Sequence, residues 1–279
     1  MKRAGRLLFV TVPLLTVAAC FVVPGEDGDG ARPDPRASAS ADAAADAAGL
    51  DSPEKKELAQ RIVSSAENSS LDWRGQYDYV EDIGDGRGYT AGIIGFTTGT
   101  HDLLVLVERY TKSHPDNSLA PFLPALREVD GSDSHEGLGS EFVAAWQAES
   151  RKAAFRTAQD AERDRVYFDP AVRLAKRDGL GVLGQFIYYD AMVMHGPGSD
   201  PGFYGIRERA MAEADTPAEG GREKAYLDIF LDVRRTTMKA EKRDTSRVDT
   251  AQRRFLYDGN LDLDTPLKWK VYGQSYEVG

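Results

Sequence analysis

Residues 63–95 read VSSAENSSLDWRGQYDYVEDIGDGRGYTAGIIG. The stretch opens as the end of an amphipathic helix. Leu58, Ile62, Val63 and Ala66 recur at helical spacing, and Glu67 continues that stripe at the helix C-terminus. Partial burial and the negative end of the helix dipole both favour a protonated carboxyl there. Two strand-like runs follow, Tyr77–Ile83 and Tyr89–Phe96, joined by Gly84-Asp85-Gly86-Arg87-Gly88. Glycines on both sides allow positive φ angles, so Asp85 belongs at an exposed hairpin tip and stays ionised. The stretch therefore offers a carboxyl inclined to keep its proton and a carboxylate inclined to lose it. Each taken alone has a plainer reading, a solvated helix-end glutamate and an ordinary Asp-Gly turn.

Outward from this stretch the chain is mostly helical. Ser52-Pro53-Glu54 is a helix start, with a capping hydroxyl, proline at the first position and acid in the first turn. Asp102 opens an apolar helix over Leu103–Tyr110, where its carboxylate serves either as a cap or as a contact for an amino sugar. Short core helices are expected over Phe122–Val129 and Phe142–Trp146, and a charged one over Lys152–Val166. Residues 179–194, GLGVLGQFIYYDAMVM, are apolar on nearly every side and mark a central helix. Asp190 lies inside it and needs a cationic partner. Arg234, on an expected helix Tyr226–Met238, and Arg247 are the candidates. His195 closes the central helix, where it reads as a cap or a satisfied core histidine before it reads as a base. The pattern is mainly α with one small hairpin sheet, an α+β arrangement.

The ends and the composition narrow the classes. Lys2, Arg3 and Arg6 precede an apolar run to Val23, which reads as a secretory signal over residues 1–23. Val17-Ala18-Ala19-Cys20 resembles a lipobox, so the chain is either freely secreted or anchored at the cell surface through an acylated Cys20. Residues 24–50, rich in Gly, Asp, Pro, Ala and Ser, read as a disordered linker, leaving 51–279 as the folded part. Cys20 is the one cysteine of the 279 residues, so neither a disulfide framework nor a thiolate metal cage is available. The formal charge is −10, and without the leader's three cations it is −13, from 32 basic and 45 acidic side chains. Such a field repels nucleic acid and anionic membranes and gathers cations.

Other chemistries lack their residues. His101, His114, His135 and His195 are scattered and form no helical metal pair. There is no nucleophile elbow and no phosphate-cradling loop with lysine. Ser52-Pro53-Glu54-Lys55 matches a serine–lysine spacing without its companion motifs. The acids around Asp85 do not alternate as a calcium loop requires. No cofactor is called for. The carboxylate pair survives, and two facing carboxyls are the machinery of glycoside hydrolysis. About 6.5–9.5 Å between them serves inversion and about 5–5.5 Å serves retention. A separation wider than the inverting range, narrowing on substrate, is expected of a mobile hairpin tip.

Six stretches taken together carry a specific resemblance: VSSAENSSLDW, YVEDIGDGRGYTAGIIGF, ERDRVYFDPAV, LGQFIYYDAMVMHGPG, DTSRVDTAQRRF and GNLDLDTPLKWK. In this order they resemble the secreted bacterial chitosanases of glycoside hydrolase family 46, from about Leu50 to Tyr276. The resemblance implies a lysozyme-like fold of two mostly helical lobes, with a small β-hairpin sheet bordering the substrate cleft. It implies a monomer that cuts β-1,4 links between glucosamine residues of chitosan and its oligosaccharides, within the polymer and by inversion. By motif, Glu67 is implied as general acid, Asp85 as general base and Thr90 as the residue that helps hold the water. Tyr79, Arg87, Asp102 and His195 would line the cleft, and Asp190, Arg234 and Arg247 would form a supporting charge network. The stretches 200–205 and 239–244 are shorter than the family pattern; the second carries Glu241 and the contact expected of Asp244. Two other classes remain: a non-catalytic polycation- or cell-wall-binding lipoprotein that keeps the fold, and a muramidase, whose anionic polymer suits this net charge poorly.

Overall fold

The structure, a computed structural model, describes residues 49–279. The signal segment, Cys20 and the linker as far as residue 48 lie outside the described residues. Leu50 is fully buried, and its amide donates to Gln185 Oε1 at 2.9 Å.

Helix α1, Pro53–Glu67, starts as the sequence indicates, with Pro53 in the first turn after Ser52, although the Ser52 hydroxyl caps nothing. Its buried face carries Leu58, Ala59, Ile62, Val63 and Ala66. The helix stops one residue past that stripe, where Asn68 returns its N–H to Ser64 and Ser69 turns left-handed, so Glu67 is delivered at the very end.

The first sheet is smaller and more broken than the alternation suggests. Strand β1 is Val80–Asp82, preceded by a 3-10 turn over Trp73–Gln76. The single strand expected over Tyr89–Phe96 is two strands, β2 Tyr89–Ala91 and β3 Phe96–Thr97, in one antiparallel sheet of order β1-β2-β3. Gly92 and Gly95, both near φ +72°, turn the chain between them. Gly88 fixes the base of the Asp85 loop. It has φ 67°, and a Cβ there would lie 2.2 Å from Thr98 Oγ1.

The helices that follow are α2 Asp102–Ser113, α3 Leu123–Val129, α4 Ser140–Ser150, α5 Ala153–Arg163 and α6 Asp169–Arg177. A π-helical segment, Asp164–Phe168, joins α5 to α6. The result is one helical run of roughly 37 Å at 1.5 Å per residue, well beyond the helix expected over Lys152–Val166. It packs on α2 at one end and on α7 at the other. Helix α7, Val182–His195, is the central helix, with every residue from Val182 to Met192 buried. Helices α8 Phe203–Glu213 and α9 Glu223–Ala240 pack against each other, and a second π-helical segment, Arg247–Gln252, runs into α10, Arg253–Tyr257.

The C-terminal tail adds a second sheet to the one small hairpin sheet expected. This second sheet is antiparallel, β4 Leu267–Val271 with β5 Gln274–Val278. The signal was present in Leu267-Lys268-Trp269-Lys270-Val271, whose burial alternates with period two. Trp269 packs inward, and its indole N–H donates to Ser65 Oγ of α1 at 2.9 Å. The hairpin thus braces the helix that carries Glu67. Among the described residues, no helix is long and apolar enough to cross a membrane.

Candidate active site

A cleft of about 830 Å³ runs between the end of α1, the first sheet, the end of α7 and the segment after α9. Glu67, Tyr79, Arg87, Thr90, Asp102, His195, Glu241, Asp244 and Arg247 all line it. Nine residues singled out along 181 positions of sequence are thereby gathered at one surface.

Glu67 does not meet the apolar surroundings that its place on the stripe suggests. Its Oε1 lies 2.7 Å from Nη1 of Arg247, and its side chain keeps 28% of its exposure. Arg247 is itself nearly buried and holds Asp190 Oδ1 at 2.7 Å with Nη2. Asp190 Oδ2 receives Arg234 at 2.8 Å and Gln252 Nε2 at 2.5 Å. The guanidinium of Arg234 also donates to Gln252 Oε1 at 2.9 Å and, at 3.4 Å, to Nε2 of His195. The chain of contacts Glu67–Arg247–Asp190–Arg234–His195 therefore links the cleft to the middle of the molecule. Burial raises the Asp190 pKa, but Arg247 and Arg234 outweigh it and bring the carboxylate down to about 2. Burial, then the charges of Arg234, Arg247 and Arg243, push His195 down to about 2. His195 is neutral, accepts at Nε2, and turns its protonated Nδ1 toward Glu241, 3.9 Å away.

Asp85 lies on the exposed loop between β1 and β2 and is not itself among the residues that line the cleft, although its partner Arg87 is. Its carboxylate is wrapped by Arg87, with Nη2 at 2.6 Å, Nε at 2.8 Å and the backbone N–H at 3.1 Å. Partial burial raises its pKa, but Arg87 and then Arg243 outweigh this and leave it below the ordinary carboxylate value. The backbone of Arg87 is pinned in turn, its carbonyl accepting from Gly99 N–H at 2.9 Å and Thr98 hydroxyl at 3.2 Å. Thr90 sits mid-strand in β2, opposite Glu81 on one side and Thr97 on the other. Its hydroxyl is buried with no partner among the described residues, a donor free for something in the cleft.

Asp102 is built into the cleft floor. It follows His101, which is left-handed at φ 73°, and so begins α2 without capping it. Its Oδ1 accepts from Thr97 N–H at 2.8 Å and Thr100 hydroxyl at 2.9 Å, and its Oδ2 from Tyr167 hydroxyl at 2.7 Å. Burial raises its pKa despite these donors. Tyr79 rests its hydroxyl 3.3 Å from Glu81. Glu241 pairs with Arg243 at 3.1 Å, and Asp244 accepts from Ser246 N–H at 2.7 Å.

The groove is consequently less uniformly anionic than the net charge suggests. Asp85, Glu241 and Glu67 each have an arginine in contact: Arg87, Arg243 and Arg247. Arg243, Gln252, Tyr167 and Tyr272 were not legible as site residues. Arg243 is hidden in a run of exposed charges, and Gln252, buried on the π-helical segment, joins the network through its contacts with Asp190 and Arg234.

The model of glycosyl hydrolase family 46 matches residues 61–267. A chitosanase of Streptomyces sp. (strain N174) is 62% identical over 234 residues, spanning 83% of this chain and 84% of that one. A chitosanase of Bacillus subtilis (strain 168) is 36% identical, spanning 79% and 83%. Among solved structures, a chitosanase complex superposes with a TM-score of 0.81 at 54% identity, covering 83% of this chain and 99% of that one. The complex of a Gynuella sunshinyii chitosanase with chitotetraose gives 0.76 at 34% identity, covering 82% and 98%. By sequence match along most of its folded length and by superposition, this chain belongs to glycosyl hydrolase family 46.

Proposed function

We propose that this protein is an endo-acting chitosanase that hydrolyses β-1,4 links between glucosamine residues with inversion at the anomeric carbon. The observation that carries the reading is the meeting of Glu67 and the Thr90 hydroxyl, unpartnered among the described residues, in one cleft that is also lined by Arg87, the arginine that holds the Asp85 carboxylate. Asp85, held ionised by Arg87, takes a proton from water as that water attacks the anomeric carbon. Thr90 orients the water with its free hydroxyl. Glu67 gives a proton to the departing glycosidic oxygen. To do so Glu67 must part from Arg247 and take up a proton from solvent as the sugar enters, and Asp190 gives Arg247 a second carboxylate to rest on. Asp102, Glu241 and Asp244 receive the amino or hydroxyl groups of the polymer, and the hairpin carrying Asp85 closes toward Glu67 on binding. Glucosamine polymers are cationic in mildly acidic water, so the net negative charge favours their capture.

The protein acts as a monomer outside the cell, either free or tethered through an acylated Cys20. Intact mass of the mature protein separates the two, since a diacylglycerol adduct on Cys20 marks the tether. Proton NMR of a glucosamine hexamer during cleavage tests the chemistry. New reducing ends appear first as the α-anomer if the reaction inverts. First appearance as β contradicts inversion, and no cleavage at all favours the non-catalytic binding reading.

A further inference from the structure

The turn of the C-terminal hairpin carries a residue that none of these roles uses. Tyr272 and Gly273 join β4 to β5, and both are left-handed, at φ 50° and 79°. Such a two-residue turn suits Asn-Gly or Gly-Gly, and a bulky aromatic at its first position is strained. The ring does not recover that cost by burial, because Tyr272 is 46% exposed. It lines the cleft with Glu67, Asp244 and Arg247. The other exposed tyrosines, Tyr204 and Tyr257, lie on helices and line no part of it.

The turn is also fastened in place. Tyr272 N–H donates to Ser246 Oγ at 2.9 Å, and the Lys270 carbonyl accepts from Thr250 hydroxyl at 2.6 Å. Ser246 and Thr250 flank Arg247 in sequence, so the ring is set against the same segment that holds Glu67. A strained, exposed aromatic held rigidly beside a catalytic carboxyl points to a contact made by its face. The apolar C–H face of a pyranose suits that ring, and a neighbouring ammonium is attracted to the π cloud. Because the turn is already ordered, little side-chain freedom is lost on binding.

We infer that Tyr272 is a sugar-binding platform for one glucosamine ring at the subsite adjoining Glu67. The inference rests on the chitosanase reading. It is tested by calorimetric binding of glucosamine hexamer to the Glu67→Gln protein, with Tyr272→Asn or Tyr272→Phe added. Asn is favoured in this turn, so its melting temperature should equal or exceed the parent's while hexamer binding weakens roughly 5- to 20-fold. Phe, which keeps the ring, should recover most of that affinity. An unchanged dissociation constant in Tyr272→Asn overturns the platform, as does a Phe variant as weak as Asn. A melting temperature lowered by several degrees in Tyr272→Asn would show the ring to be structural and overturns it too. Absence of hexamer binding in the parent, with no cleavage by the wild type, overturns the chitosanase reading and this inference with it.

Discussion

Arg247 Nη1 lies 2.7 Å from Glu67 Oε1, while the other amino group of the same guanidinium lies 2.7 Å from Asp190. One buried cation therefore divides itself between a carboxylate of the cleft and a carboxylate of the core. Whatever moves Glu67 away from Arg247 leaves the arginine still paired. Whatever removes Asp190 leaves Arg247 depending on Glu67 alone, and Arg234 without its carboxylate.

Asp190→Asn should therefore lower stability by roughly 3–5 kcal/mol, since two buried guanidinium groups lose their counter-charge. For a domain of this size that is a melting temperature lower by about 6–20 °C. The folded pKa of Asp190 is about 2 against an ordinary 3.8, so its contribution, of the order of 2 kcal/mol, is complete above about pH 4 and fades as pH falls toward 2. Thermal melts of wild type and variant between pH 2 and 5 check both parts. The gap between them should narrow with acid, and a constant gap counts against the network.

Arg87→Ala should move the acid side of the pH–rate profile. Arg87 is the main influence holding Asp85 below its ordinary value, against the upward push of burial. Without it the base takes up a proton at higher pH, and the acid limb of kcat/KM shifts upward. A limb that stays where it was would mean that Asp85 is not the group titrating there.

His195 should not titrate in the working range. Burial and three neighbouring arginines keep it neutral down to about pH 2, although an ordinary histidine gains its proton near 6.5. NMR of the imidazole carbons should show no titration between pH 4 and 9. A midpoint within that window would remove His195 as the neutral acceptor for Arg234.

Much of this architecture could be read from residue order because it rests on local periodicity. The stripe Leu58-Ile62-Val63-Ala66 and the all-apolar run through Phe186 and Tyr189 require helices whatever surrounds them. The hairpin with Asp85 followed from its glycines. Other features were set by tertiary packing. Tyr89–Phe96 looked continuous because Gly92 and Gly95 sit among apolar neighbours, and only their left-handed φ angles reveal the turn. The alternation Leu267–Val271 was visible but had no obvious partner until Gln274–Val278 folded back on it. The surroundings of Glu67 were least legible. Helix phase placed it next to the core, but its neighbour there is Arg247, 180 residues away in sequence.

The most direct test is the turnover of Glu67→Gln on soluble chitosan, measured as new reducing ends, alongside hexamer binding by calorimetry. If Glu67 donates the proton, the amide should cost about 10³-fold or more in kcat, in line with loss of a general acid, while hexamer still binds. Turnover within a few-fold of wild type would contradict the account.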